Sequence, residues 1–439
     1  MLRTRAVPVL LLGLSAGLGA CEDPSTENPT EPALAPTGNG AAPAAAVRYV
    51  LTRLAEGNGS ATAINSKGQI VGYVFNSGTL RAFLWSNGTM RFLGSLGGGT
   101  SFAHAINEAG QVAGMSLTAN NQRHAFLWEN GTMRDLGTLG ADASTALGID
   151  ANGRVVGYTE KVGGPTRAFL WENGTMKRLA GLGTGFSIAY DIDNMGRVVG
   201  EHGSQSAPRA FRWVAGRVRD LGTLGGTTAT ASAIGAKGKI VGYATTAAGV
   251  RRAFLWQNGV MTDLGTLAGD SSIAYAISGA GHVAGFTRLS PSRLSAFVLN
   301  NGVKYTLGEG DAHGVNREGW VVGRSLLLGS YVALWRPTTE PPPPPGAITV
   351  GTSYFLSDRN QSINPAVDTV PVGRKVTWTW VSGRRVRHSV QSTGTPSFPS
   401  SALMGGPGTT YSFTFTRAGT YRYNCSAHPG NMTGRVVVK

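Results

Sequence analysis

The sequence predicts an all-β fold in two parts, a seven-bladed β-propeller followed by a small β-sandwich. Three observations carry this prediction. Gly accounts for 64 of the 439 residues, which indicates many tight turns. A segment of about 43 residues recurs between residues 47 and 336, the spacing of propeller blades. After the proline run at 341–345, apolar and polar residues alternate as they do in half-buried strands.

Each repeat carries three short elements in the same order. The "AIN"-like elements are centred on Ile64, Ile106, Ile149, Ile192, Ile234, Ile277 and Val315. The "VG" or "AG" pairs end at Gly72, Gly114, Gly157, Gly200, Gly242, Gly285 and Gly323. The "AFLW"-like elements end at Trp85, Trp128, Trp171, Trp213, Trp256, Leu299 and Trp335. Seven copies of each element predict seven repeats.

Four short strands are predicted within one repeat, at "TALGID", "RVVGYT", "RAFLWE" and "TMRDLGTLG". Asn-Gly pairs such as Asn130-Gly131 suit the hairpin turns between them. The sequence resembles the HAF-type extracellular repeats over residues 47–336, with "HAF" itself at residues 124–126. That resemblance implies an architecture rather than an activity. The recurring Trp side chains are expected to pack between blades.

The phase of the repeats predicts how the ring closes. The seventh repeat ends after "VALWRP" and lacks a fourth strand, while "VRYVLTRL" (Val47–Leu54) precedes the first repeat as a spare strand. Pairing the spare strand with the seventh repeat completes the last blade and removes the open sheet edges that promote aggregation.

The N-terminus predicts export. Arg3 and Arg5 precede an apolar run and small residues, the layout of a secretory signal peptide over residues 1–20. The end of this segment, "LGAC", resembles the lipobox of bacterial lipoproteins, which implies that Cys21 is lipidated; the alternative is an ordinary signal peptide. Residues 21–46, rich in Pro, Ala and Thr, predict a disordered tether. Export to the cell envelope argues against a nucleic-acid partner, despite a formal charge of +15.

Residues 337–346 predict an extended linker, and residues 347–439 a separate sandwich domain. Cys425 in this domain has no cysteine partner if Cys21 carries lipid, so it is a free thiol, a crosslinking site or a metal ligand. His428 follows it at C-x2-H spacing, Met432 comes next, and His388 lies upstream in "RHSV". One thiolate, two imidazoles and a weak thioether are the ligands of a blue-copper site. Zinc is the alternative metal, because one Cys and two His suit a tetrahedral site.

The last domain resembles the plastocyanin-like cupredoxins, which are Greek-key sandwiches. "TVPVGRKVTWTW", "RHSV" and "GTYRYNCSAHPGNMTGRVVV" carry the resemblance over residues 347–439. It implies that His388, Cys425, His428 and Met432 bind one type 1 copper ion. The chain departs from the family in one respect: three residues separate His428 from Met432, where two or four are expected.

Composition excludes several classes of copper protein and enzyme. Only His388 and His428 lie in the last domain, too few for a multicopper oxidase, and a two-cysteine binuclear centre needs a second thiol. The repeats carry scattered histidines and no recognisable catalytic set. An electron carrier is therefore expected, rather than a catalyst with its own substrate.

Basic residues dominate the last domain, which holds ten Lys or Arg against two Asp. Arg384, Arg385 and Arg387 immediately precede His388. Either they form a solvated turn, or they are a docking patch that steers an acidic redox partner.

The function predicted from the sequence is one-electron transfer by an exported, lipid-anchored copper protein of the bacterial envelope, periplasmic or on the outer surface. The propeller then serves as a binding or docking scaffold. The alternative is a cell-surface interaction or adhesion protein, whose propeller binds a glycan, a peptide or another envelope ligand and whose copper domain is accessory.

Overall fold

The structure is a computed structural model. It describes residues 47–55, 58–266, 269–291, 293–326, 330–339, 346–350, 355–357, 366–380, 387–430 and 432–439. The predicted signal peptide, the tether with Cys21, most of the linker, and both Arg384 and Arg385 lie outside this range. Within it the elements are strands, apart from one 3-10 turn at Ala236–Gly238. None of the described segments is a helix of the length and apolar character needed to cross a bilayer.

Strand β1 (Arg48–Ala55) precedes five blades, each a separate four-stranded antiparallel sheet whose strands follow chain order. Blade 1 comprises β2 (Gly59–Ile64), β3 (Ile70–Asn76), β4 (Thr79–Ser86) and β5 (Thr89–Phe92). Blade 2 comprises β6 (Gly97–Ile106), β7 (Val112–Thr118), β8 (Arg123–Glu129) and β9 (Thr132–Asp135). Blade 3 comprises β10 (Ala143–Ile149), β11 (Val155–Glu160), β12 (Arg167–Glu172) and β13 (Thr175–Arg178).

Blade 4 comprises β14 (Phe186–Ile192), β15 (Val198–Gly203), β16 (Pro208–Val214) and β17 (Arg217–Asp220). Blade 5 comprises β18 (Gly225–Ile234), β19 (Ile240–Thr246), β20 (Arg251–Gln257) and β21 (Val260–Asp263). The four strands per repeat match the prediction. In blades 1–5 the fourth strand is only four residues long, so "LGTLG" connects blades instead of extending that strand.

The last two blades share one long strand. Blade 6 comprises β22 (Ser271–Ile277), β23 (Val283–Ser290), β24 (Arg293–Asn300) and the first part of β25 (Val303–Val315). Blade 7 comprises the rest of β25, β26 (Val321–Ser325), β27 (Tyr331–Thr338) and β1. β1 pairs antiparallel with β27 from Arg48↔Thr338 onward, so the predicted pairing of the spare strand with the seventh repeat is confirmed.

Blade 7 also contacts blade 1, which completes the ring. Asn316 Nδ2 donates to the Asn65 carbonyl at 3.3 Å, although 251 residues separate them in the chain. Val332 and Leu334 of β27 pack in one buried cluster with Phe83 of blade 1. The fold is a seven-bladed propeller, as the repeats predicted.

The recurring Trp side chains lie between blades, as predicted. Trp171 of blade 3 is 7% exposed and packs with Ala125 and Leu127 of blade 2. The Arg134 guanidinium of blade 2 lies 5.2 Å from the centroid of the same indole ring. Trp213 is the least buried of the five. The burial of apolar side chains between neighbouring blades therefore stabilises the ring.

The "AIN" elements end the first strand of each blade in a tight turn. The Asn107 side-chain oxygen accepts the backbone N–H groups of Ala109 and Gln111, and its amide nitrogen donates to the Asp150 carbonyl of the next blade at 2.9 Å. Asp193 accepts the N–H groups of Met195 and Arg197 in the same way, so its carboxylate caps a turn. These turns surround a cavity of about 720 Å³ at one end of the central channel.

The described residues between 346 and 439 form a sandwich of two four-stranded sheets. One sheet has the order β29-β28-β31-β33 and the other β30-β35-β34-β32. These strands are β28 (Ala347–Val350), β29 (Phe355–Ser357), β30 (Ala366–Val370), β31 (Arg374–Trp380), β32 (Gln391–Thr393), β33 (Thr410–Phe415), β34 (Gly419–Asn424) and β35 (Thr433–Val438). Buried aromatic side chains, including Trp378 and Tyr423, fill the space between the sheets. The predicted sandwich is confirmed.

Candidate metal centre

A closed loop between β34 and β35 carries three of the four predicted ligands. Cys425 follows β34 directly, and the His428 N–H donates to its carbonyl at 3.0 Å. The Met432 N–H donates to the His428 carbonyl, and the Cys425 N–H to the Met432 carbonyl, each at 3.0 Å. These backbone hydrogen bonds hold the loop in one compact conformation and bring Met432 back beside Cys425.

The fourth predicted ligand comes from a separate segment. His388 precedes β32 and exchanges two backbone hydrogen bonds of 2.8 Å with Met404. Ser389 Oγ accepts the Ser426 N–H at 3.0 Å and lies 2.8 Å from Ser426 Oγ. This pair of serines fastens the His388 segment to the Cys425 loop. The sequence did not predict this contact, because two serines that lie 37 residues apart form no recognisable motif.

The three nitrogen- and sulfur-bearing side chains converge. The ligand atoms of His388, Cys425 and His428 all lie within 4.8 Å of one another. Cys425 Sγ is 3.5 Å from His388 Nδ1, and the two imidazole centroids are 5.2 Å apart at an interplanar angle of 36°. Among the described residues no other group of His, Cys, Asp or Glu has this proximity. The structure therefore brings His388 beside two side chains that follow it by 37 and 40 residues in the sequence.

The burial of the predicted ligands and the lowered pKa of His388 favour metal binding. Cys425, His388 and Met432 are fully buried, while His428 is only partly buried. Burial, with a smaller contribution from the neighbouring His428, lowers the pKa of His388 and so favours the neutral imidazole that binds metals. His428 Nδ1 is buried and has no hydrogen-bond partner among the described residues. An orphaned nitrogen beside a buried thiol fits a metal site, because the ion would satisfy it.

The donor set also fits copper in its chemistry. A thiolate and two imidazoles bind both common oxidation states of copper, and a buried thioether is the expected weak fourth donor. Tyr423, two residues before Cys425 on β34, packs edge-on against Trp378 at 5.3 Å and against Phe355 at 4.9 Å. Gly434 on β35 lies so close to the Tyr423 ring that an added Cβ would sit 2.2 Å from it. This tight packing gives the cysteine strand a rigid support.

The other predicted site residues lie apart from this centre or outside the described range. Arg387 is exposed and immediately precedes His388. Arg384 and Arg385, the other two members of the predicted docking patch, are outside the described residues, as is Cys21.

The C-terminal domain is similar to known copper-binding proteins. The model of the family described as copper binding proteins, plastocyanin/azurin family, matches residues 362–439. Plastocyanin from Sambucus nigra is 34% identical over 90 residues, which cover 18% of this chain and 91% of that protein. A purple cupredoxin from Nitrosopumilus maritimus is 25% identical over 21% of this chain and 99% of that one, with a TM-score of 0.17.

A further match, to a solved structure, is more distant. TolB from Acinetobacter baumannii is 15% identical and has a TM-score of 0.40, and the match covers 53% of this chain and 61% of that structure. The match to the copper-binding family, in contrast, spans all four predicted ligands, from His388 to Met432.

Proposed function

The chain belongs to the plastocyanin family of copper-binding proteins through its C-terminal domain, and from this premise we propose that it is an exported one-electron carrier. The observation that carries the proposal is the buried convergence of Cys425, His388 and His428. A copper ion held by these groups supplies a one-electron couple. Met432, which is fully buried and whose backbone closes the ligand loop, would be the weak fourth donor.

The protein's own contribution is a site that changes little when the charge of the ion changes. The serine pair, the loop hydrogen bonds and the packing of Tyr423 fix the ligands before a metal binds. Burial of Cys425 keeps water away from the thiolate. His428 is the partly exposed ligand, so its outer edge is the proposed point of electron exchange with a partner.

The proposal is tested on purified full-length protein. Loaded with Cu(II), it is expected to show an intense thiolate-to-copper absorption that makes it blue. Cys425→Ala is expected to lose this absorption, whereas Ser400→Ala, in the same domain, is expected to keep it. A colourless copper complex contradicts the proposal, and so does a site that retains zinc in preference to copper during competition.

Export and lipid anchoring through Cys21 are part of the same proposal. Their support is the arrangement of basic, apolar and small residues before Cys21. Metabolic labelling with a radioactive fatty acid is expected to mark the wild type and not Cys21→Ala. Labelling of both proteins, or of neither, contradicts the anchor.

The partner of the copper domain is proposed to be an acidic redox protein. Arg384, Arg385 and Arg387 would attract it before contact, over roughly the 8 Å that salt screening leaves at physiological ionic strength. Changing all three to Gln is expected to slow electron transfer several-fold at low salt and to flatten its salt dependence. The blue absorption should be unchanged. Equal rates for both proteins at every salt concentration would mean that the arginines form only a solvated turn.

A second candidate function rests on the cavity of about 720 Å³ that all seven blades line. In this alternative the propeller binds an envelope component and the copper domain is accessory. Deleting residues 347–439 discriminates between the two: binding to isolated cell-envelope material survives the deletion if the propeller is the binding part, and is lost if the copper domain is required.

A further inference from the structure

An ion pair between blades 2 and 3 identifies two repeat positions whose side chains meet across a blade boundary. Arg123 begins β8 of blade 2, and Glu160 ends β11 of blade 3. Their side chains form an ion pair across the boundary between the two blades. The two positions are therefore near enough for direct side-chain contact, and opposite charges there hold adjacent blades together.

The same two positions at the boundary between blades 5 and 6 are both arginine. Arg251 in "RRAFLW" corresponds to Arg123 in "RHAFLW", and in the sheets they pair with Thr245 and Leu117 at the same register. Arg288 in "VAGFTR" corresponds to Glu160 in "VVGYTE". No other boundary has charges at both positions; the pairs there are Leu80 with Leu117, Thr166 with Gly203, Pro208 with Thr245, Leu294 with Leu326, and Ser330 with Phe75. Two cations thus replace an ion pair.

A cavity of about 250 Å³ lies between these two arginines. Arg251 and Arg288 line it with Asp270 at the surface, and Ile273 and Phe286 form an apolar part of the wall. Ile273 is 7% exposed and Phe286 only 2%, and they are cross-strand partners in blade 6. The charged residues of this wall are two cations and one anion, so an excess positive charge remains.

Neither arginine pairs with a carboxylate in the part of the chain that the structure describes. Arg251 lies over the Tyr243 ring at 5.5 Å, and Arg288 donates to the Pro291 carbonyl at 3.0 Å. The buried carboxyl of Glu201 interacts electrostatically with Arg251, and burial raises the pKa of Glu201. Its two oxygens accept hydrogen bonds from the hydroxyls of Tyr190 and Thr230, and Glu201 forms no ion pair with Arg251.

We propose that Arg251 and Arg288 bind the carboxylate of a small organic acid in this cavity, with Ile273 and Phe286 contacting its apolar body. Like charges that line the same cavity repel each other, and an anion bound between them reduces that repulsion. Guanidinium groups bind carboxylates through two parallel hydrogen bonds, which suits a pair of arginines on facing blades. The site is independent of the copper centre and gives the propeller a binding function of its own.

The experiment uses the full chain and calorimetric titration with benzoate, a carboxylate on an apolar ring. Benzamide, its neutral isostere, is the matched control ligand. The wild type is expected to bind benzoate and to bind benzamide at least about tenfold more weakly, because only benzoate carries the charge that the arginines recognise. Equal binding of the two compounds contradicts the proposal, as does binding of neither.

The decisive variant is Arg288→Glu, which recreates the Arg–Glu pair found between blades 2 and 3. It is expected to weaken benzoate binding by roughly tenfold or more while keeping the melting temperature and the copper absorption of the wild type. Should Arg288→Glu fold poorly, Arg251→Gln is expected to give the same loss. Unchanged benzoate affinity in a folded variant overturns the proposal. Inorganic phosphate that displaces benzoate at equal concentration would show a simple anion site and contradicts the role of Ile273 and Phe286.

Discussion

At the scale of single residues, Cys425 shows how the fold determines the chemistry of one side chain. It is the only cysteine in the described residues, it is fully buried, and its nearest polar partner is an imidazole nitrogen rather than a second thiol. A thiol in an apolar core is ordinarily inert. Beside two imidazoles, one with an orphaned Nδ1, the same thiol becomes part of a donor set that a soft metal ion completes.

The first prediction concerns Met432, whose spacing from His428 departs from the family pattern. Met432→Leu is expected to keep copper and the blue absorption, because Cys425 and the two histidines remain. The reduction potential is expected to rise, because losing a weak donor destabilises the oxidised ion more than the reduced one. Redox titration followed by absorbance measures the change.

A matched control for this prediction is Met404→Leu. Met404 also packs against the sandwich core, and its backbone pairs with His388. This variant is expected to leave the potential close to the wild-type value. If Met404→Leu shifts the potential and Met432→Leu does not, the assignment of Met432 as a copper donor is wrong.

At the scale of the blade, the repeated "VG" pair has a steric cause. In blade 3, a Cβ on Gly157 would lie 2.0 Å from the Thr145 carbonyl oxygen of the first strand. Equivalent glycines in the other blades face a first-strand carbonyl at similar distances, for example Gly200 at 1.9 Å from the Ile188 oxygen. The glycine therefore allows the second strand to approach the first more closely than any other residue would.

The second prediction follows from that contact. Gly157→Ala is expected to destabilise the propeller by about 2–3 kcal/mol, because the clash is with backbone and cannot be relieved by a side-chain rotation. Gly279→Ala is the control, since no atom lies within 4 Å of its Cβ position. It is expected to change stability by less than about 0.5 kcal/mol. Equal shifts of the two variants in thermal unfolding would show that the close approach is not the reason for the glycine.

At the scale of the whole molecule, ring closure joins the two ends of the repeat region. β1 supplies the outer strand of blade 7, whose other strands are the second part of β25, β26 and β27. The sheet would otherwise end at β27 with a row of unpaired backbone groups. Such an edge is a template for pairing with another chain.

The third prediction tests this closure. A variant lacking residues 47–55 is expected to form aggregates or domain-swapped oligomers, because β27 is left as an exposed edge. A variant lacking residues 22–46 is the control and should remain monodisperse. Size-exclusion chromatography with light scattering measures both. A monodisperse protein without residues 47–55 would show that β1 is dispensable for closing the ring.

Much of this organisation can be predicted from the sequence because it repeats or follows a local pattern. The seven "AFLW"-like elements predicted seven blades, since each blade needs the same buried side chains against its neighbour. The unmatched strand Val47–Leu54 predicted the closure, which the pairing with β27 confirms. Cys425, His428 and Met432 are close in sequence, so their common loop was also predictable.

The tertiary structure alone decided the contacts between distant segments. It brought His388 within 3.5 Å of Cys425, fastened the two segments through Ser389 and Ser426, and placed Arg251 opposite Arg288 across a blade boundary. Sequence periodicity specifies which face of a strand is buried, but not which side chain of another strand lies across from it. That choice depends on sheet order, register and blade packing, which are set by the burial of the whole core at once.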